Sequence, residues 1–188
     1  MGNMNIKKLK KQFFSLFFTF LFIAASNAQS KLPSGYGNIR LGMTVDEVKE
    51  LLKKNPLFGY HGDRDVSLLP GENRILIETD ATAGHVDSFL DRCWFQFFED
   101  KLYIITITLN KEKIDHYSVF TTLCNKYGDP SSLSPEKSVW ENSSVTMSLE
   151  KPLALKYVDK ATFEKMNKKS KVNDSVPEMT AKMFLEGL

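Results

Sequence analysis

The stretch that decides the fold is GNIRLGMTVDEVKELLKKNP, residues 37–56. Thr44 and Glu47 have the spacing of a capping box, in which each side chain accepts a hydrogen bond from the other residue's backbone amide. The residues around them form an apolar stripe at helical spacing: Val45, Val48, Leu51 and Leu52. Pro56 prevents the helix from continuing. Because every residue of the motif has a structural role, the stretch predicts the start of an amphipathic helix rather than an active site.

Outward from this helix, the alternation of apolar and polar residues predicts two groups of three strands. The strands are expected over residues 74–78, 92–98, 102–109, 138–141, 145–149 and 153–158. Such alternation is typical of a sheet with one buried and one wet face. A second helix should run from Asn110 to a stop at Gly128, and a last one over residues 161–169. We therefore predict an α+β fold, an antiparallel sheet with helices packed on one face, built from two helix–three-strand units in tandem.

Residues 1–28 have the three parts of a secretory signal peptide. Lysines within residues 7–11 precede an apolar run over residues 13–25, and the small residues at 26–28 complete a cleavage site. We expect cleavage before Gln29. The alternative is an uncleaved membrane anchor, for which the apolar run is short. The sequence thus predicts a periplasmic or secreted protein with no stable membrane span after cleavage.

The charge of the chain depends strongly on this leader. The full chain has 25 Lys and Arg against 23 Asp and Glu, a formal charge of +2. Residues 1–28 contain four lysines and no acid, so their removal lowers the formal charge by four, to −2. A nucleic-acid partner is therefore not expected, since such binding needs a concentrated basic surface. Residues 29–170 are long enough for one domain with a core, and residues 171–188 are predicted to be a flexible tail or short helix.

Two cysteines, Cys93 and Cys124, lie in the exported part, where an even number favours a disulfide. The alternative is two buried thiols that do not meet. A three-residue loop over residues 99–101 would pair Phe98 with Leu102 and place Cys93 on the apolar face that the second helix should cover. Cys124 lies on the apolar stripe of that helix. We therefore predict a Cys93–Cys124 disulfide.

Catalytic motifs are scarce in this sequence. The segment YHGDRD contains His61, Asp63 and Asp65, which could form a metal or acid–base cluster in a small metal-dependent hydrolytic enzyme, the alternative function. The loop lacks the regular ligand spacing of a calcium site, and this favours a solvated turn. The chain has no G-x-S-x-G elbow, P-loop or G-x-G-x-x-G motif. We therefore predict a non-enzymatic protein with no catalytic residue, no metal and no cofactor.

The segment IRLGMTVDEVKELL resembles the opening of the SmpA/OmlA group of envelope proteins, and it is similar to repeats of the β-lactamase inhibitor protein-like superfamily. The matching residues are Ile39, Leu41, Gly42, Met43, Thr44, Glu47 and Val48. The resemblance implies helices packed against an antiparallel sheet. It also implies a function in binding other proteins, including outer-membrane assembly machinery and secreted enzymes. The chain lacks the lipidated cysteine of the SmpA pattern and carries an extra helix–sheet unit.

A binding surface is expected on the side of the first hairpin that the helices leave open. The predicted register places Tyr103, Ile105 and Ile107 on the apolar side and turns a second set to the open side: Trp94, Gln96, Phe98, Thr106 and Thr108. Trp94 and Phe98 would then be aromatic anchors with a polar surround, as in protein-binding hot spots. The alternative is that the rings are covered by apolar residues of the C-terminal segment: Met179, Met183, Phe184 and Leu185. We expect an exported module of the bacterial cell envelope that binds another envelope or secreted protein through this face.

Overall fold

Three helices and ten strands make up the part of the chain that the computed structural model describes, residues 32–83, 88–173 and Leu185. These residues belong to a compact unit that begins at Leu32. The helices are α1 (Val45–Lys54), α2 (His116–Tyr127) and α3 (Lys160–Asn173). The strands are β1 (Gly35–Tyr36), β2 (Ile39–Arg40), β3 (Val66–Leu68), β4 (Arg74–Asp80), β5 (Leu90–Phe98), β6 (Lys101–Leu109), β7 (Ser132–Leu133), β8 (Lys137–Glu141), β9 (Val145–Glu150) and β10 (Ala154–Asp159). None of the described helices is long and apolar enough to cross a membrane.

Helix α1 begins at the predicted capping box. The amide of Thr44 donates to Glu47 Oε2 over 2.8 Å, and the amide of Glu47 donates to Thr44 Oγ1 over 3.3 Å. The predicted stripe faces the core, with three residues buried: Val45, Val48 and Leu52. At the other end Asn55 is the C-cap, and Pro56 starts a short 3-10 turn. Local chemistry thus fixes both ends of this helix, as predicted.

The main sheet has eight strands in the order β3-β4-β5-β6-β10-β9-β8-β7, all antiparallel, while β1 and β2 form a separate hairpin. Strands β3–β6 follow α1 and strands β7–β10 follow α2, so two helix–strand units join where β6 pairs with β10. The predicted α+β class with an antiparallel sheet is confirmed. Each unit has one strand more than predicted, because edge strands β3 and β7 have only three and two residues. That length is too short for alternation to show.

Helices α1 and α2 lie on the same side of the sheet, each over its own half. Phe58, in the 3-10 turn after α1, packs on Phe95 of β5 with ring centroids 6.0 Å apart. Phe120 of α2 packs on Trp140 of β8 with centroids 6.1 Å apart, and Trp140 Nε1 donates to Gly128 O over 2.8 Å. The side of the sheet under these helices is the core face. Its fully buried large side chains include Phe95, Phe97, Ile105, Ile107, Met147 and Leu149.

Helix α3 lies on the opposite side, the outer face, where no helix was predicted. It contacts β6 and β10. Its Met166 packs on a second apolar cluster formed by Phe98, Tyr103, Ile104 and Val158. The chain enters α3 directly from β10, and the amide of Lys160 donates to Ser144 O over 3.0 Å at the neighbouring hairpin turn. With no linker in which to reverse, the helix stays on the outer face, so the helices cover both faces rather than one.

Candidate protein-binding face

The tip of the β5–β6 hairpin is a two-residue turn rather than the predicted three-residue loop. Phe98 pairs with Lys101, and the residues between them have positive φ, 49° for Glu99 and 58° for Asp100. These angles match the type I′ turn that suits the right-handed twist of the strands. Asp100 Oδ1 accepts a hydrogen bond of 3.0 Å from the amide of Val45 at the start of α1. The turn therefore also anchors a helix on the core face.

A β-bulge next to the turn restores the predicted register along most of the hairpin. Gln96 pairs with Ile104 but Phe97 pairs with Leu102, so Tyr103 is the extra residue. Beyond the bulge the predicted pairs form, Phe95 with Ile105 and Cys93 with Ile107. The expectation for Tyr103 was wrong, because the bulge turns it to the outer face, where it joins the second cluster.

The bulged part of β6 also forms hydrogen bonds with the loop that precedes α1. The amide of Gly42 donates to Leu102 O over 2.7 Å, and the amide of Leu102 donates to Met43 O over 2.8 Å. These bonds place the loop before α1 directly on β6. The loop that leads into the first helix is thus hydrogen-bonded to the hairpin that carries the candidate site.

Phe98 is not the exposed anchor that was predicted. Only 3% of its surface is exposed, because α3 covers it. The ammonium groups of Lys165 and Lys169 lie 5.8 and 5.5 Å from its ring centroid, within the range of a cation–π contact. Both ammonium groups also bond to the carboxylate of Glu99, and these hydrogen bonds lower the pKa of Glu99 to about 2. A helix and an ion cluster therefore close this end of the face.

The rest of the predicted site lies together on the outer face and is partly exposed: Trp94, Gln96, Thr106 and Thr108, hereafter the Trp94 patch. Trp94 lies between Glu78 of β4 and Thr106 of β6, and Lys156 of β10 lies beyond Thr106. Arg92 approaches Glu78 and Asp80 at 3.6 and 3.9 Å. One large aromatic ring is thus surrounded by charged and hydroxyl side chains on a rigid sheet.

The alternative cover for this patch, the C-terminal segment, falls largely beyond what the structure describes. Met179, Met183 and Phe184 lie outside the described residues, and Leu185 is exposed. Whether that segment contacts Trp94 stays a prediction. Phe98 does have a cover, but it comes from α3.

Comparison with known protein families identifies the family of this chain. The family model described as the TP0088 domain matches residues 34–169. The chain belongs to the TP0088 domain family. No curated protein and no solved structure matches it. The match spans the sheet, the Trp94 patch and α3 through Lys169, so both ends of the outer face lie within the TP0088 domain. The resemblance to SmpA/OmlA and β-lactamase inhibitor proteins stays a prediction.

The His61–Asp65 loop of this TP0088 domain has polar contacts within the loop and with α1. Asp65 Oδ2 accepts a hydrogen bond of 2.7 Å from the amide of His61 and lies 3.5 Å from its Nδ1. Asp63 pairs with Lys49 of α1 at 2.9 Å, and this hydrogen bond lowers the pKa of Asp63. Among the described residues, no three His, Cys, Asp or Glu side chains are grouped so that they could hold a metal ion. These contacts explain the loop as a turn docked on α1.

The cysteines of the TP0088 domain are both free thiols, so the predicted disulfide does not form. Cys93 is fully buried between Thr79 of β4 and Ile107 of β6, and burial raises its pKa to about 12. Cys124 lies on α2, which packs on Trp140 in the other half of the sheet. The disulfide prediction failed because it placed α2 over the β5–β6 hairpin.

The roles of Glu99 and Asp100 were not predicted. Asp100 anchors α1 on the core face, and Glu99 binds two lysines of α3 on the outer face. A signal was present, because two adjacent carboxylates at the tip of an apolar hairpin accompany a lysine-rich last helix. Periodicity alone did not show that these groups would meet.

Proposed function

We propose that this TP0088 domain is an exported, non-enzymatic module of the bacterial cell envelope that binds another envelope or secreted protein through the Trp94 patch. One observation carries the proposal. Trp94 remains partly exposed in the middle of a rigid sheet, although a helix was available on the same face and covers Phe98 instead. Tryptophan with a polar surround is enriched at the hot spots of protein interfaces.

The chemistry of the patch indicates what kind of surface it fits. The hydroxyl of Tyr103 donates to Gln96 Oε1 over 3.3 Å, which orients the amide nitrogen of Gln96 as a remaining donor. Thr106 and Thr108 add hydroxyls, and Thr108 Oγ1 already bonds to the backbone of Arg92. A partner that buries Trp94 against an apolar side chain and meets these polar groups at the rim would match the usual anatomy of an interface.

The sequence of residues 1–28, which lie outside the described structure, supports the exported part of this proposal independently of the patch. Residues 1–28 have the order of charged, apolar and small residues that a signal peptidase recognises. N-terminal sequencing of exported material should find Gln29 first. Recovery of an intact Met1 from the membrane fraction would contradict export with cleavage.

The decisive variant for partner binding is Trp94→Ala. Wild-type protein, used as bait on an envelope fraction, should capture a partner that mass spectrometry identifies, and Trp94→Ala should lose it. Tyr117→Ala is the matched control, because Tyr117 is a 73% exposed aromatic residue on α2. It should capture the partner normally.

Three results would contradict the proposal. If Trp94→Ala captures the same partner as wild type, Trp94 is a bystander. If its urea unfolding midpoint falls as far as that of a core variant, Trp94 is a core residue, and loss of capture would only report unfolding. Equal loss in Tyr117→Ala would place the binding surface on α2.

A further inference from the structure

A cleft of ≈ 420 Å³ opens on the core-face side of the sheet, opposite the Trp94 patch. It lies between the β1–β2 hairpin, α2 and β10. Part of its lining is apolar: Ile114, Val119, Leu123 and Leu155. Small-molecule sites usually have volumes of about 300–1,000 Å³, with apolar walls and a few convergent polar groups. The cleft has room for a small ligand with an apolar body.

Three tyrosines from separate elements line this cleft: Tyr36 of β1, Tyr127 of α2 and Tyr157 of β10. Tyr157 is only 4% exposed, and its hydroxyl has no hydrogen-bond partner among the described residues. The hydroxyl is accessible within the cleft rather than sealed in the core, so an acceptor supplied by a ligand can replace water there. Burial raises the pKa of Tyr157, as do the nearby phenols of Tyr127 and Tyr36, so its hydroxyl stays a donor at neutral pH.

The charged side chains that line the cleft are both cationic, Arg40 and Lys126. Arg40 Nη1 donates to the carbonyls of Gly37 and Ile39, the latter over 3.2 Å, which holds the guanidinium against the hairpin. Its Nε and Nη2 donors have no acceptor among the residues that the structure describes. A guanidinium with free donors binds carboxylates strongly, often through two parallel hydrogen bonds.

We propose that this cleft, hereafter the tyrosine cleft, binds a small ligand that has an apolar body and one carboxylate. The carboxylate accepts hydrogen bonds from the Tyr157 hydroxyl and the Arg40 guanidinium, and the body packs on the apolar lining. The site is separate from the Trp94 patch, because the two lie on opposite faces of the sheet. Partner binding and ligand binding can therefore be tested independently.

Titration of the purified ¹⁵N-labelled protein with sodium benzoate, followed by amide chemical shifts, tests the proposal. Benzoate should give saturable shifts at residues lining the cleft, including Tyr36, Gly37 and Tyr127. Benzyl alcohol has the same ring without the charge and should bind at least about tenfold more weakly, because hydrogen bonds to a charged group are the stronger ones. Inorganic phosphate should not saturate the site.

Tyr157→Phe is the key variant, since it removes only the hydroxyl. It should weaken benzoate binding about tenfold or more while leaving the melting temperature unchanged or slightly higher, because that hydroxyl has no partner in the described structure. Tyr103→Phe is the matched control: Tyr103 is equally buried, but its hydroxyl bonds to Gln96 on the outer face. It should bind benzoate like wild type, as should Trp94→Ala.

Several results would overturn the proposal: no saturable shift with benzoate, equal binding of benzyl alcohol, saturation by phosphate alone, or full benzoate affinity in Tyr157→Phe. If Tyr157→Phe does not fold, Arg40→Gln replaces it, since Arg40 is exposed. Arg40→Gln should show the same loss of affinity, and unchanged benzoate affinity in that variant counts against the cleft.

Discussion

Trp94 and Phe98 lie on the same strand and the same face of the sheet, yet they have opposite environments. Phe98 is 3% exposed under α3, whereas Trp94 is partly exposed among polar side chains. The neighbouring sequence does not distinguish them, because both are aromatic residues in one alternating run. Helix α3, which covers Phe98 but not Trp94, begins at Lys160, more than sixty residues later in the chain. Alternation therefore tells which side a residue faces, but not whether another element covers that side.

The covered end is also the end at which the turn anchors helices on both faces. Asp100 bonds to the first amide of α1, and Glu99 binds Lys165 and Lys169 of α3. One two-residue turn thus connects the core face to the outer face. The Trp94 end has no such helix anchor among the described residues, and Trp94 is partly exposed there.

The largest difference between the two ends should appear when each ring is removed. Phe98→Ala should lower the free energy of unfolding by about 3 kcal/mol, because it leaves a cavity beneath α3. Trp94→Ala should lower it by about 1 kcal/mol or less, since a partly exposed residue leaves no closed cavity. Urea unfolding followed by circular dichroism measures both. Equal losses would mean that the two ends are covered alike.

A smaller difference is expected from deleting a single methyl group at each end of the outer face, in both cases on β6. Ile104→Val should cost about 1 kcal/mol, because Ile104 is buried in the cluster under α3. Thr106→Ser removes a methyl from the open end and should change the unfolding free energy by less than about 0.5 kcal/mol. The same urea assay applies. A loss in Thr106→Ser as large as that in Ile104→Val would indicate a cover over the Trp94 patch.

The smallest effect concerns the ion cluster over Phe98. The pKa of Glu99 is about 2 in the fold, below its ordinary value of 4.5. Its contribution to stability is therefore complete above about pH 4.5 and is lost as the pH falls toward 2. Glu99→Gln should be slightly less stable than wild type at neutral pH.

This small deficit should fade as the pH falls from 4.5 toward 2, and added salt should reduce it at neutral pH, since exposed ion pairs are screened. Thermal unfolding across pH at two salt concentrations checks both trends. A deficit that persists at pH 2 would contradict the ionic origin of the contact.

The parts of the fold that depend on local chemistry could be predicted. The capping box of α1 needs only Thr44 and Glu47, and both hydrogen bonds form. The hairpin faces were also predicted, because a two-residue turn followed by a bulge gives the same pairing beyond Gln96 as a three-residue loop. Two residues changed side: Tyr103, the bulged residue, and Leu102, which pairs with Phe97 instead of Phe98 and lies in the core.

The parts that depend on distant contacts could not be predicted. The side chosen by α3 depends on the hydrogen bond from Lys160 to Ser144, and the position of α2 depends on Phe120 meeting Trp140. The prediction for Phe98 was wrong because the side taken by α3 was not known. The disulfide prediction was wrong because the position of α2 was not known. The three tyrosines of the tyrosine cleft likewise come from three separate elements and Arg40 from a fourth, with no common pattern in the sequence.

Acrylamide quenching of Trp94 fluorescence tests most directly whether the Trp94 end is an open, partner-binding surface. The chain has two tryptophans, so Trp140→Phe reports Trp94 alone and Trp94→Phe reports the 3% exposed Trp140. Trp94 should be quenched several-fold more strongly than Trp140 in the free protein. Addition of the captured partner should lower the quenching of Trp94 to the level of Trp140. A Trp94 that is as shielded as Trp140 before the partner is added, or equally quenched afterwards, would contradict this function for the face.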